Sequence, residues 1–204
     1  MSWLGICLLS YIIGSIPSAY IAGRLLRGVD IRDMGDGNAG AANVFRELGP
    51  IPGIVVGIAD TSKGSLAVLL ARYLIGSETA VLVAGISAVA GHNWPIYLNF
   101  RGGIGAATAM GILLVIIPAA SAPLLIIASV PFIATRSTNV FFAFMFAPLA
   151  LAAWYTGASG PYIGYSIALP IMVGLSHYLS LRRLTPGFPS QVENGLEGSE
   201  SLRT

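Results

Sequence analysis

Two short segments hold most of the residues able to do chemistry. The first, residues 30–49 (DIRDMGDGNAGAANVFRELG), concentrates four glycines, two asparagines, two arginines and three aspartates between apolar runs. Gly35, Gly37 and Gly40 allow positive φ, which turns successive backbone N–H groups toward one point, the requirement for a nest that wraps an anion. Arg32 and Arg46 add forked, permanently charged donors that match phosphate or carboxylate better than lysine does. Asp36, Asn38 and Asn43 complete the polar lining of this first candidate site. The second segment, residues 100–111 (FRGGIGAATAMG), repeats the pattern with Arg101, Gly102, Gly103, Gly105 and Thr108. A plainer reading stands beside this one: glycine-rich turns between membrane helices, their arginines anchored at lipid headgroups.

Few other groups invite chemistry. Asp60 and Lys63 are three residues apart, on one helical face, where they pair with each other in the simplest reading; Lys63 is also a candidate for substrate binding. His92 has the neutral-range pKa of a proton carrier and equally suits a helix cap, and His177 is open to the same two readings. Two histidines without a carboxylate cluster make a poor metal site. Cys7 is the sole cysteine, which excludes a disulfide framework. Neither metal nor cofactor is expected, and no G-x-S-x-G nucleophile elbow is present.

The elements that must position these groups follow from composition. Of 204 residues, 55% are hydrophobic and only 10% charged, and the mean hydropathy is +0.77, values of an all-α polytopic membrane protein. A formal net charge of +2, spread over separate loops, offers no stripe to nucleic acid. Hydropathy predicts seven transmembrane helices: 4–23; 64–75 after a half-buried lead-in at 51–58; 80–98; one from the second glycine-rich segment to about 117; 121–134; 140–154; and 162–180. Pro17 should kink the first, Asp60, Ser62 and Lys63 should interrupt the second, and Pro118 should end the fourth. The first run lacks a basic leader and an A-x-A site, so it reads as a retained helix and not a signal peptide. Residues 1–185 are expected to form the membrane domain, and the polar residues 186–204 a disordered tail.

With seven spans, Arg24, Arg27, Arg32, Arg46, Arg101, Arg136, Arg182 and Arg183 all fall on one side, and only Arg72 lies toward the other. The positive-inside rule makes the basic side cytoplasmic, with the N-terminus outside and the C-terminus inside. Both glycine-rich segments are then cytoplasmic loops. Amides and arginines gathered at one face of an apolar bundle suit a site where an anionic headgroup meets an acyl chain. If the donor were an acyl phosphate, which carries its own good leaving group, proximity and charge stabilisation would suffice.

Taken together, GSIPSAY at 14–20, the 30–49 segment, DTSKG at 60–64, GHNWP at 91–95 and FRGGIGAATAMG at 100–111 resemble, in order and spacing, the bacterial acyl-phosphate:glycerol-3-phosphate acyltransferases. The similarity runs to about His177. It implies a seven-helix inner-membrane enzyme with a cytoplasmic active site, transferring a fatty acyl group from acyl phosphate to the 1-hydroxyl of sn-glycerol 3-phosphate. The products would be lysophosphatidate and phosphate, in the first acylation of phospholipid synthesis, without acyl-CoA or acyl carrier protein. The resemblance assigns catalysis to Arg46, Arg136 and His177. It places Gly35, Gly37, Asn38, Gly40 and Asn43 in the first loop, and Gly102, Gly103 and Gly105 in a loop that binds substrate phosphate. The implied partners are the two substrates and membrane lipid.

The chain also departs from the family's pattern. Asp36 stands in a G-S-G-N motif, where it would repel phosphate unless paired with an arginine. Ile104 stands for a lysine in F-K-G-G-K-G, removing one cation. Asn139 and Phe142 replace serines, Ser180 an asparagine and Pro189 a glutamate. Because these losses fall on polar positions, two further readings stay open: an acyltransferase of altered substrate, and a non-catalytic relative that binds lipid or regulates another acyltransferase. A small-anion transporter fits less well, since no inverted repeat is visible.

Overall fold

The first apolar run does not merely kink at Pro17; it breaks. Helix α1 (Trp3–Ser15) and helix α2 (Ser18–Arg27) meet there, two arms of one 25-residue apolar unit. The break exposes the carbonyl of Ile16, and Lys63 donates to it at 2.7 Å. The structure, a computed structural model, describes residues 2–184; the tail expected at 186–204, with Pro189, lies outside the described residues. After a 3-10 turn at Ile31–Asp33 come α3 (Ala41–Glu47), α4 (Pro50–Leu74) and α5 (Glu78–Asn93), then α6 (Ala106–Ile116) and α7 (Pro118–Thr135). The bundle closes with α8 (Thr138–Phe146), α9 (Leu149–Tyr155) and α10 (Gly160–Leu184), and no strand occurs among the described residues.

One expectation about the spans needs correcting. The lead-in at 51–58 and the helix at 64–75 are one continuous α4. The charges do not interrupt it because Lys63 and Asp60 neutralise each other across one turn, Nζ to Oδ1 2.6 Å, with both side chains buried. A paired charge beside an open carbonyl is how such residues are tolerated at membrane depth. Seven spans were expected, and six helical units are long and apolar enough to cross a bilayer. The difference is α6, whose 11 residues rise only about 16 Å. It is instead the most enclosed helix, with Thr108, Ala109, Ile112 and Leu113 fully buried and α4, α5, α7 and α10 around it. Pro118 ends it as expected, and the Ser121 hydroxyl ties the two helices together by donating to the carbonyls of Leu113 and Ile117 at 3.0 and 2.9 Å. The expected sixth span is likewise interrupted, at Ala147 and Pro148 between α8 and α9.

Helices this apolar gain nothing from hydrophobic contact with each other in lipid and must associate by close backbone approach. The seam between α4 and α6 shows it: a Cβ on Gly64 would lie 2.1 Å from the carbonyl oxygen of Thr108, and one on Gly111 only 1.9 Å from that of Thr61. Helix directions then bring residues 28–49, 94–105 and 136–137 and the C-terminal part of α10 to one end of the bundle. Arg72 and the turn before α5, where Ser159 donates to Glu78, lie at the other.

Candidate active site

The first glycine-rich loop is held from within by one side chain. Asn43, fully buried on α3, donates from Nδ2 to the carbonyls of Ile31, Met34 and Asn38 at 3.0–3.1 Å and accepts from the Asp36 N–H at 3.3 Å. Gly35 and Gly37 have the expected positive φ, +56° and +67°. Gly40 does not: at φ −128° it is an extended N-cap to α3. The Asp36 carboxylate accepts from the Asn38 N–H at 3.2 Å and forms an ion pair with Arg46, which meets the condition under which a carboxylate is tolerable there. Beside it, hydrogen bonding from the Arg32 guanidinium holds the Asp30 carboxyl below its ordinary pKa.

The second loop is seated on the end of α5. The N–H groups of Gly102 and Gly103 donate to the carbonyls of Asn93 and His92, both at 3.1 Å. A Cβ on Gly103 would lie 2.2 Å from His92 Nε2 and 3.1 Å from the carbonyl oxygen of Ala39, so the two loops touch. Gly105, at φ +80°, caps α6. Lys63, His92 and Thr108, predicted as substrate-binding, lie beneath this contact. His92 is buried with Nδ1 3.8 Å from Asp60 Oδ1, and Thr108 Oγ1 has no hydrogen-bond partner among the described residues.

Two cavities flank the touching loops. One is a polar cavity of about 260 Å³ lined by Asp30, Arg32, Asp33, Gly37, Arg101, Gly102 and Ser180. The other is an apolar groove of about 470 Å³ whose walls include Phe45, Gly57, Met110, Leu125 and Phe142, with Arg46 and Arg136 at its loop end. Gly37 and Ala41 face opposite cavities four residues apart, as do Gly102 and Ala107 five apart. The structure thus brings Arg46 and Arg136 together, and sets Arg101 apart from them in the polar cavity. The Arg101 guanidinium has no hydrogen-bonded or ionic partner among the described residues, although its backbone is bonded. His177, partly buried on α10, lines neither cavity and stands one turn before Ser180.

Several lining residues were not singled out from sequence. Phe45, Phe132 and Phe141 pack edge to face along the groove, centroids 6.4 and 5.8 Å apart. Phe142, standing for a serine, stacks on Phe146 at 5.8 Å. The clustered phenylalanines at 141, 142, 144 and 146 were the available signal. Ile104 packs against the main core, leaving no cation at that position. Among the described residues no group of three or more histidines, cysteines and carboxylates could hold a metal.

An all-helical membrane bundle with a polar cavity lined by two arginines and two aspartates, set against an apolar groove with arginines at its mouth, fits a class: an integral membrane enzyme that joins a small polar molecule to a lipid chain. The comparisons narrow this further. Residues 4–187 match the family described as glycerol-3-phosphate acyltransferase, and the chain belongs to that family. A glycerol-3-phosphate acyltransferase of Dehalococcoides mccartyi is 45% identical over 179 residues, covering 86% of this chain and 95% of its own. One of Moorella thermoacetica is 37% identical over 169 residues, covering 83% and 86%. The crystal structure of PlsY (YgiH), an integral membrane glycerol 3-phosphate acyltransferase in its glycerol 3-phosphate form, matches with TM-score 0.79 at 27% identity, covering 90% of this chain and 92% of that one. Its lysophosphatidic acid form matches at 0.77.

Proposed function

We propose that this chain transfers a fatty acyl group from acyl phosphate to the 1-hydroxyl of sn-glycerol 3-phosphate, at the cytoplasmic face of a bacterial inner membrane. The observation that carries the reading is the pair of cavities on either side of the touching glycine loops, one polar and one apolar, each with its own arginines. Arg46 and Arg136 hold the donor's phosphate while its acyl tail lies in the groove. Arg101 holds the acceptor's phosphate in the polar cavity, with Ser180 in its lining and His177 one turn behind it. The N–H groups of Gly37, Gly102 and Gly103 serve the carbonyls of Met34, Asn93 and His92, so these glycines shape the cavity and do not supply its donors. The acceptor oxygen bonds to the acyl carbon as the bond from that carbon to the phosphate oxygen breaks, and the hydroxyl proton leaves with phosphate. Little is asked of the protein beyond holding two substrates in register and stabilising charge, terms that supply most of the acceleration in such transfers.

The orientation follows the arginines: loops and C-terminus in the cytoplasm, N-terminus outside, residues 1–185 as the membrane domain. The Asp36–Arg46 pair neutralises the carboxylate beside the donor's phosphate and is exposed enough for the phosphate to displace it. The test is rescue of a bacterial strain lacking its own acyltransferase. Growth with the wild-type gene and failure with Arg46→Ala is the expected result; no growth with either, at equal membrane expression, would overturn the proposal and leave a non-catalytic relative.

A further inference from the structure

The turn that aims the second glycine loop is strained. Asn99 and Phe100 both adopt the left-handed region, φ +52° and +58°, which side chains with a Cβ enter at a cost and hold only where the surroundings over-determine them. Two carbonyls bracket this pair, those of Leu98 and Arg101. Both accept from the same atom of the other loop: Arg32 Nη1 donates to Leu98 O at 3.0 Å and, more loosely, to Arg101 O at 3.4 Å. The rest of the guanidinium is locked. Nε donates to both Asp30 oxygens at 3.0 and 3.2 Å, Nη2 donates to Asp30 Oδ2 at 2.6 Å, and the plane lies 5.7 Å from the Tyr20 ring centroid. Asp30 in turn accepts from the Arg32 backbone N–H at 3.0 Å, so the pair is anchored on the first loop.

We propose that Arg32, held by Asp30, is a positioning residue: a clamp from the first loop that keeps the turn at residues 98–101 in its strained form and so fixes Arg101 and Gly102 in the polar cavity. Most of its donors serve protein acceptors, which separates it from Arg101, the cation left for the ligand. The proposal rests on the acceptor occupying that cavity. It predicts that losing the clamp harms acceptor binding and spares donor binding.

The test uses the purified full chain in detergent, varying acyl phosphate and glycerol 3-phosphate separately. Arg32→Met should raise KM for glycerol 3-phosphate by about tenfold, while KM for acyl phosphate changes by less than about twofold. Arg32→Lys should behave like Arg32→Met, since an ammonium cannot bridge two carbonyls and a carboxylate at once. Glycine occupies positive φ without a clamp. Asn99→Gly with Phe100→Gly should therefore leave the wild type within about twofold and return Arg32→Met to within about threefold of it. Equal effects on both substrates, or no rescue by the glycines, would overturn the clamp. Hydrogen exchange at residues 100–103 gives a readout independent of turnover: Arg32→Met should speed it by about tenfold while α4 is unchanged. Wild-type exchange in that variant would refute the clamp, whereas faster exchange in a protein that transfers no acyl group would refute the functional reading alone. If Arg32→Met is not recovered folded, Asp30→Asn must show the same split between substrates, and its absence would count against the clamp.

Discussion

Asp36→Asn is expected to tighten donor binding. In the structure the Asp36 carboxylate occupies the Arg46 fork that the donor's phosphate needs, and the two side chains are 46% and 44% exposed. A pair this exposed is worth only ~0.2–1 kcal/mol, which is the cost the donor meets in displacing it. Removing the carboxylate should lower KM for acyl phosphate by about 1.5- to 5-fold and leave kcat unchanged. Arg46→Ala removes a charge-assisted contact worth ~1.5–3 kcal/mol, about ten- to a hundredfold in kcat/KM. It also leaves Asp36 facing the phosphate unneutralised. The double substitution should then recover part of the Arg46→Ala loss, a coupling that two independent sites would not show. The assay is phosphate release with the donor varied at saturating glycerol 3-phosphate, repeated at high salt, where the advantage of Asp36→Asn should shrink. A fall in kcat/KM for Asp36→Asn as large as that of Arg46→Ala would refute the reasoning, because the carboxylate would then be orienting the arginine and not competing for it.

Asn43→Ala removes a donor from three loop carbonyls, of which those of Ile31 and Met34 keep a backbone N–H, and the acceptor of the Asp36 N–H, so it should destabilise the fold by about 1–3 kcal/mol in thermal melts. Asn43→Asp should be no better, since a carboxylate cannot donate. Gly64→Ala and Gly111→Ala each push a methyl into the facing backbone and should cost about 1–3 kcal/mol; because both pry open one seam, the pair should cost less than the sum. Asp30 has a lowered folded pKa, so its contribution is full above the ordinary carboxylate value of 3.8 and is lost as pH falls through the lowered one. KM for glycerol 3-phosphate should be insensitive to Asp30 from about pH 9 down to about pH 5. In acid unfolding, Asp30→Asn should remove a limb that the wild type shows.

Much of this was legible in the residues. The grouping of arginines at one end of the bundle was read from counting spans and basic loops, and it does not depend on α6 having a full span's length, because that helix still carries the chain from the loop before it to the turn after it. Gly35 and Gly37 were readable as turn formers, whereas Gly40, read the same way, is extended. Gly102 and Gly103 matter for another reason, close approach to α5, which only three dimensions reveal. The hydropathy dip at Asp60, Ser62 and Lys63 suggested an interrupted helix because a one-dimensional average cannot see that Lys63 meets both Asp60 and the carbonyl opened by Pro17. The clamp was hidden for the same reason: Arg32 reads as a ligand for anions, yet its partners are Asp30 and carbonyls sixty-six and sixty-nine residues away. The replacement of a serine by Phe142 was visible as a loss of polarity. Its role in the groove wall depended on the neighbouring phenylalanines of α7 and α8.

The most direct measurement supplies the purified protein with acyl phosphate and glycerol 3-phosphate and quantifies both products. Equal amounts of phosphate and lysophosphatidate, requiring both substrates and lost in Arg46→Ala, are the result expected of a phosphorylated acceptor and an acyl donor meeting across two touching loops. Phosphate release no greater than in a protein-free control, or phosphate without lysophosphatidate, would contradict it.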